Sequence, residues 1–132
     1  MPRLSVWSLR LSLLYLISGF SLGALMLANK GEPFAAWAWS LLPVHIEVLV
    51  FGFVIQFAMG MGYWILPRYP GGSRGTEWVV WASIGLLNAG LWLVSASAWF
   101  SLPGGWTALG HALEGVAALL FAAQMWRRIR KT

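Results

Sequence analysis

Six side chains in this sequence can do chemistry in an apolar setting: His45, Glu47, Gln56, Asn88, His111 and Glu114. All six fall inside long apolar stretches, where a charged side chain at mid-bilayer costs roughly 2.5–3.5 kcal/mol on insertion scales. His45 and His111 are the only two histidines in 132 residues, and there is no cysteine. Disulfides, iron–sulfur clusters, thiolate zinc sites and covalently attached c-type heme are therefore excluded. The chemistry left is that of imidazole and carboxylate. Neutral imidazoles ligate metals, and carboxyls carry protons or bond a polar substrate.

The elements that must position these groups follow from composition. Hydrophobic residues make up 59% and charged residues 10% of the chain, and the mean hydropathy is +0.71. A soluble domain carries about 25% charged residues, and a chain this apolar does not stay disordered. Apolar stretches run over 11–28, 41–66, 78–99 and 106–125. A helix needs about 20 apolar residues to cross the hydrocarbon, so four transmembrane helices are expected. The stretches are too long, and alternate too little, for barrel strands. The expected fold is all-α, a polytopic membrane four-helix bundle forming a single domain over 1–132. Arg3 and Arg10 before the first stretch could open a signal peptide, but no small-residue cleavage site follows, and Asn29 to Pro33 reads as a turn.

With four spans, both termini and the loop between spans two and three share one side. That side holds Arg3, Arg10, Arg68, Arg74, Arg127, Arg128, Arg130 and Lys131, against Lys30 alone on the other. Both termini are thus expected in the cytoplasm of a bacterial-type inner membrane. The net charge of +5 reflects topology and contact with anionic lipid. It does not point to nucleic acid, because the basic residues sit at membrane edges. Nine of the ten tryptophans fall near span ends, as interfacial anchors do, and Trp92 alone lies deep.

Both histidines lie near the outer starts of their spans, roughly 6 and 8 Å below the surface. At about 100° per residue, His45, Gly52, Gln56 and Tyr63 form one stripe of span two, and His111, Gly115, Ala118 and Ala122 form one of span four. Small residues below each histidine permit close helix packing or leave room for a flat macrocycle. Two imidazoles at one depth on separate helices are the bis-histidine arrangement of heme b, with Gly52, Gln56, Gly115 and Ala118 lining the heme. The bland alternative is two buried histidines bonded to neighbours.

Glu114 is about 60° from His111 and can lie beside it, whereas Glu47 is about 200° from His45. Two Glu and two His fall short of a carboxylate-bridged di-metal centre, which needs four Glu and two Glu-x-x-His motifs. The carboxyls are instead candidate proton carriers or quinol partners, or neutral groups bonded to backbone. Gly19 and Gly23 form a GxxxG match, Asn88 can bond across helices, and 67–75 reads as a flexible turn.

Span two reads His45-Ile-Glu-Val-Leu-Val-Phe-Gly52, then Gly62-Tyr63-Trp64-Ile-Leu-Pro67-Arg68. It resembles the second helix of subunit I in the heme-copper oxidase and nitric oxide reductase superfamily, over about a fifth of the chain. The shared features are an outer His, a Gly seven residues on, a Gly before an aromatic pair, and a closing Leu-Pro-Arg. The resemblance implies that His45 ligates a low-spin heme; His111 matches only the role of the second ligand. The superfamily's catalytic subunits have at least six metal-binding histidines. Two histidines cannot hold a second heme and copper, so this chain alone reduces neither oxygen nor nitric oxide. The outer arginines that meet heme propionates are also absent.

The resulting expectation is a membrane cytochrome b with one heme b on His45 and His111, transferring electrons with quinol as a candidate donor. A homodimer, with ligation within or across protomers, is compatible with so small a bundle. The alternatives are a heme or redox sensor, an accessory subunit of a respiratory complex, and a cofactor-free structural membrane protein.

Overall fold

The computed structural model describes residues 1–69 and 71–129. Pro70 of the expected turn, and Arg130 and Lys131 of the charge asymmetry, lie outside the described residues, as does Thr132. Four helices are long and apolar enough to cross a membrane: α1 (Arg3–Gly31), α2 (Ala36–Ile65), α3 (Glu77–Trp99) and α4 (Gly104–Ile129). At most 44% of any helix's most apolar window is buried inside the chain. The remaining apolar surface needs lipid, or another apolar partner, to cover it.

Prolines bracket the helices rather than interrupt them, because proline lacks an N–H to donate to the helix ladder. Pro2 precedes α1, Pro33 follows it, Pro67 follows α2, and Pro103 precedes α4. Pro43 is the exception, and α2 is correspondingly irregular. It opens as a 3₁₀ turn over Ala36–Leu41, is α-helical over Leu42–Glu47, π-helical over Val48–Ile55, and α-helical again over Gln56–Ile65. π-Turns are rare and occur often beside functional groups; this one begins immediately after Glu47. The turn between α1 and α2 is closed by Asn29, whose Oδ1 accepts hydrogen bonds from the Phe34 and Ala35 N–H groups at 3.1 and 2.8 Å. The loop between α2 and α3 has positive φ at Gly71, Gly72 and Gly75, a conformation side chains with a Cβ avoid.

α1 packs along α2, and α4 packs along α3. The first pair meets through the glycines of α1: a Cβ on Gly19 would lie 2.4 Å from Leu49, and one on Gly23 would lie 2.8 Å from the His45 ring. The second pair meets at Gly90 and Gly110, where an added Cβ would collide with backbone oxygen or Val94. An apolar core of Leu4, Met59, Tyr63, Val80, Ile84, Leu87, Ala117 and Met125 fills the end that carries the termini.

Two polar features tie the helices together. Tyr15 Oη donates to Asn88 Oδ1 at 2.7 Å, and Asn88 Nδ2 donates to Gln56 Oε1 at 2.7 Å. The chain thus joins α1, α3 and α2, and Ser8 Oγ extends it by donating to the Gln56 carbonyl at 3.0 Å. At the terminal end, Arg128 of α4 is 1% exposed. Its Nε donates to the Pro67 carbonyl at 2.8 Å, its Nη1 to the Tyr63 carbonyl at 3.1 Å, and its Nη2 to the Leu66 carbonyl. The Tyr63 carbonyl is one that a helix end leaves without a partner, and Leu66 and Pro67 follow directly after the helix, so a side chain of α4 caps the C-terminus of α2.

Candidate functional site

Glu47 ends the α-helical turn of α2, and the backbone beyond it widens into the π-stretch. Its side chain is buried, 5% exposed. Glu114 lies one turn beyond Gly110 on α4 and is 2% exposed. A Cβ on Gly90 would lie 2.7 Å from Glu114 Cγ, so the missing side chain of Gly90 makes the space that Glu114 occupies. His111 lies one turn before Glu114. Its Nδ1 is 2.9 Å from Glu114 Oε2, with half of its own side chain exposed.

Glu47, His111 and Glu114 converge: one donor atom from each lies within 4.8 Å of the other two. Phe51, one turn below Glu47, sets its ring 6.3 Å from the His111 ring. Oε1 of Glu47 and Oε1 of Glu114 are both buried without a hydrogen-bond partner. Among the described residues, His111–Glu114 is the only ion-pair contact, charged when His111 is protonated, and no lysine or arginine pairs with Glu47. Two carboxyl groups and an imidazole, brought together by α2 and α4, are the one such cluster of three among the described residues. Such a set can hold a proton or a metal ion.

His45 lies elsewhere. Its Nδ1 bonds to the Gly19 carbonyl oxygen at 2.8 Å, and the ring rests over Gly23. His45 therefore occupies the α1–α2 interface, whereas His111 stands by α2 on the side of Glu47 and Phe51. The about 200° between His45 and Glu47 around α2 sends the two in opposite directions. The arrangement does not bring the two imidazoles together.

The residues expected to line a macrocycle divide in the same way. Gly52 and Gln56 share the His45 side of α2, and that side is filled. A Cβ on Gly52 would lie 2.7 Å from the Tyr15 ring and 2.9 Å from Leu91. Gln56 is fully buried and bonded to Asn88 and Ser8. Gly115 has no neighbour within 4 Å of an added Cβ, and Ala118 is exposed on the same helix. Asn88 bonds within the chain.

Sequence reasoning did not join Glu47 to His111 and Glu114, although two signals were present. Glu47 and Glu114 stand at similar depths, about 9 and 12 Å from the starts of their apolar stretches at 1.5 Å per residue. Glu47 also points away from His45, toward whatever helix packs there. Arg128 was counted only among the charges that orient the chain. Its spacing from Ala117 and Gln124, both buried, places it on the inward face of α4.

No protein-family model matches the chain, and comparison with curated proteins and with solved structures found no match. Nothing in these comparisons links it to the heme-copper superfamily, and the site has to be read from its own residues.

Proposed function

We propose that this chain is a multi-pass membrane protein that holds an exchangeable cation, in the simplest case a proton, at Glu47, His111 and Glu114 in the outer half of the bilayer. The outer placement follows from the charge asymmetry: Arg3, Arg10, Arg68, Arg74, Arg127 and Arg128 lie toward the opposite end of the helices. The observation that carries the reading is the pair of buried carboxyl oxygens, one on each of two helices, left without partners at a shared site. An unsatisfied buried polar atom costs about 1–3 kcal/mol. Among the described residues Ser5 Oγ, Ser95 Oγ and Arg74 Nε are also buried without a partner, but only the two glutamate oxygens belong to groups that share a site. A cation between them would satisfy both.

The residues divide the work by exposure. Half-exposed His111 is the port: it takes a proton from outside on its ring and delivers it through Nδ1 to Glu114 Oε2. Glu114 and Glu47, both screened from water, hold the proton between them. Apolar walls keep water from competing for the carboxyl oxygens.

Dicyclohexylcarbodiimide, which attacks protonated carboxyls in apolar surroundings, tests this reading. In chelator-treated, detergent-purified protein it is expected to modify Glu47 or Glu114, as located by mass spectrometry. Modification should disappear in the Glu47→Gln, Glu114→Gln double variant. Folded protein left unmodified at both positions would refute the reading.

A second reading retains heme b and electron transfer, with the heme held at the boundary between two copies. His45 and His111 at separate interfaces do not suit one iron within one chain. The observation favouring a shared heme is the half-exposed His111, with Gly115, Ala118 and Ala122 exposed beyond it on α4. A reduced-minus-oxidised visible spectrum of protein expressed with ample heme decides: an α-band lost in His111→Ala supports it, and colourless protein ends it.

A further inference from the structure

We propose that the cation completing the site is a divalent transition-metal ion of the zinc class, bound by one oxygen of Glu47, one oxygen of Glu114 and a ring nitrogen of His111. This inference rests on the cation reading above and names its ligand.

The donor set selects the metal class. Imidazole with carboxylate suits zinc, iron, cobalt and manganese, whereas copper(I) prefers sulfur, and the chain has no cysteine. Calcium takes six to eight oxygens, and magnesium keeps most of its water. The site instead combines two carboxylates with a nitrogen donor on helices whose backbone carbonyls are largely occupied by the helix ladder.

Charge points the same way. Two ionised carboxylates carry two negative charges into surroundings that penalise net charge heavily. One divalent ion neutralises both while His111 stays neutral and free to ligate it. The orphaned oxygens add to this, since both belong to residues more than nine-tenths buried and each is on a carboxyl group of the converging set.

The geometry needs a small closure. Donors bound to zinc at about 2.0–2.1 Å in a tetrahedron lie about 3.3 Å apart, and the donors here lie within 4.8 Å of one another. Rotation of the two long glutamate side chains can supply the difference without moving α2 or α4. Three protein ligands leave a fourth position open, as in zinc sites that do chemistry rather than hold a fold. The exposed half of His111 is the way in.

Cobalt(II) is the probe, added to chelator-treated full-length protein in detergent, purified without a polyhistidine tag. One equivalent is expected to bind with the visible absorption of tetrahedral cobalt and to be displaced by zinc. Glu47→Gln, Glu114→Gln and His111→Ala should each weaken binding by more than the roughly 10- to 100-fold that loss of an outer hydrogen-bond partner costs. His45→Ala and Glu32→Gln should bind as the unaltered protein does. Bound zinc should also protect Glu47 and Glu114 from the carbodiimide. Folded protein that binds no cobalt yet is modified at Glu47 or Glu114 would overturn the metal and leave the proton site standing. Failure of both would remove both. Cobalt binding that survives His111→Ala and is lost in His45→Ala would also overturn the assignment.

Discussion

Glu47 and Glu114 reach one another from helices that are not consecutive in the chain, and each keeps one carboxyl oxygen without a partner. Glu114 is there because Gly90 has no side chain, and Glu47 because it faces away from the α1–α2 seam. The site is thus a consequence of how three helices pack, and the packing can be tested separately from the chemistry.

Gly90→Ala should disturb both the fold and the site. Its Cβ would lie 2.6 Å from the Gly110 carbonyl oxygen and 2.7 Å from Glu114 Cγ. Forcing α3 and α4 apart is expected to cost about 1–3 kcal/mol and to change the reactivity of Glu114. Gly115→Ala, with open space around it, should stay within about 0.5 kcal/mol of the unaltered protein. Thermal unfolding in detergent, run on both variants, checks the contrast.

Glu47→Gln should not weaken metal-free protein. An amide can donate to the unpartnered Glu114 oxygen and brings no charge, so stability is expected to hold or to rise by up to about 1 kcal/mol. A loss above about 2 kcal/mol, measured by unfolding after chelation, would mean that the Glu47 carboxyl is already satisfied by the fold.

Arg128→Met should cost about 2–3 kcal/mol, since charged donors to carbonyls contribute about 1.5–3 kcal/mol. The Tyr63, Leu66 and Pro67 carbonyls would lose their shared donor. Arg128→Lys should restore only part, because an ammonium lacks the planar fork that reaches three acceptors. Hydrogen exchange at the end of α2 should rise in the same order.

The Tyr15–Asn88 bond should prove real but modest. Coupling between Tyr15→Phe and Asn88→Ala is expected near 0.6 kcal/mol and below about 1.7 kcal/mol, the range found for hydrogen bonds between membrane helices. A double-mutant cycle on unfolding free energies measures it.

Much of the architecture was legible from one property of the chain, the length of its apolar runs. A backbone in apolar surroundings must satisfy its own polar groups, and a run near 20 residues can do so only as a helix. The four helices and the proline positions that bound them follow from this. The GxxxG match was also legible as a close-packing signal; Leu49 and His45 of α2 fill the space that Gly19 and Gly23 leave. The irregularity of α2 was not legible, because a π-stretch of apolar residues has the same composition as an α-stretch.

The sequence by itself therefore determined the scarce side chains, their helices and their depths, because composition and rise per residue are local. It also paired His111 with Glu114, three residues apart on one helix. Only the tertiary structure decided which helix each side chain meets. His45 and Glu47 are two residues apart, yet one bonds to Gly19 of α1 and the other joins Glu114 of α4. Depth along a helix can be counted from residue numbers, but the neighbour at a given angle depends on which helices touch. That was settled by the glycine contacts between α1 and α2 and between α3 and α4.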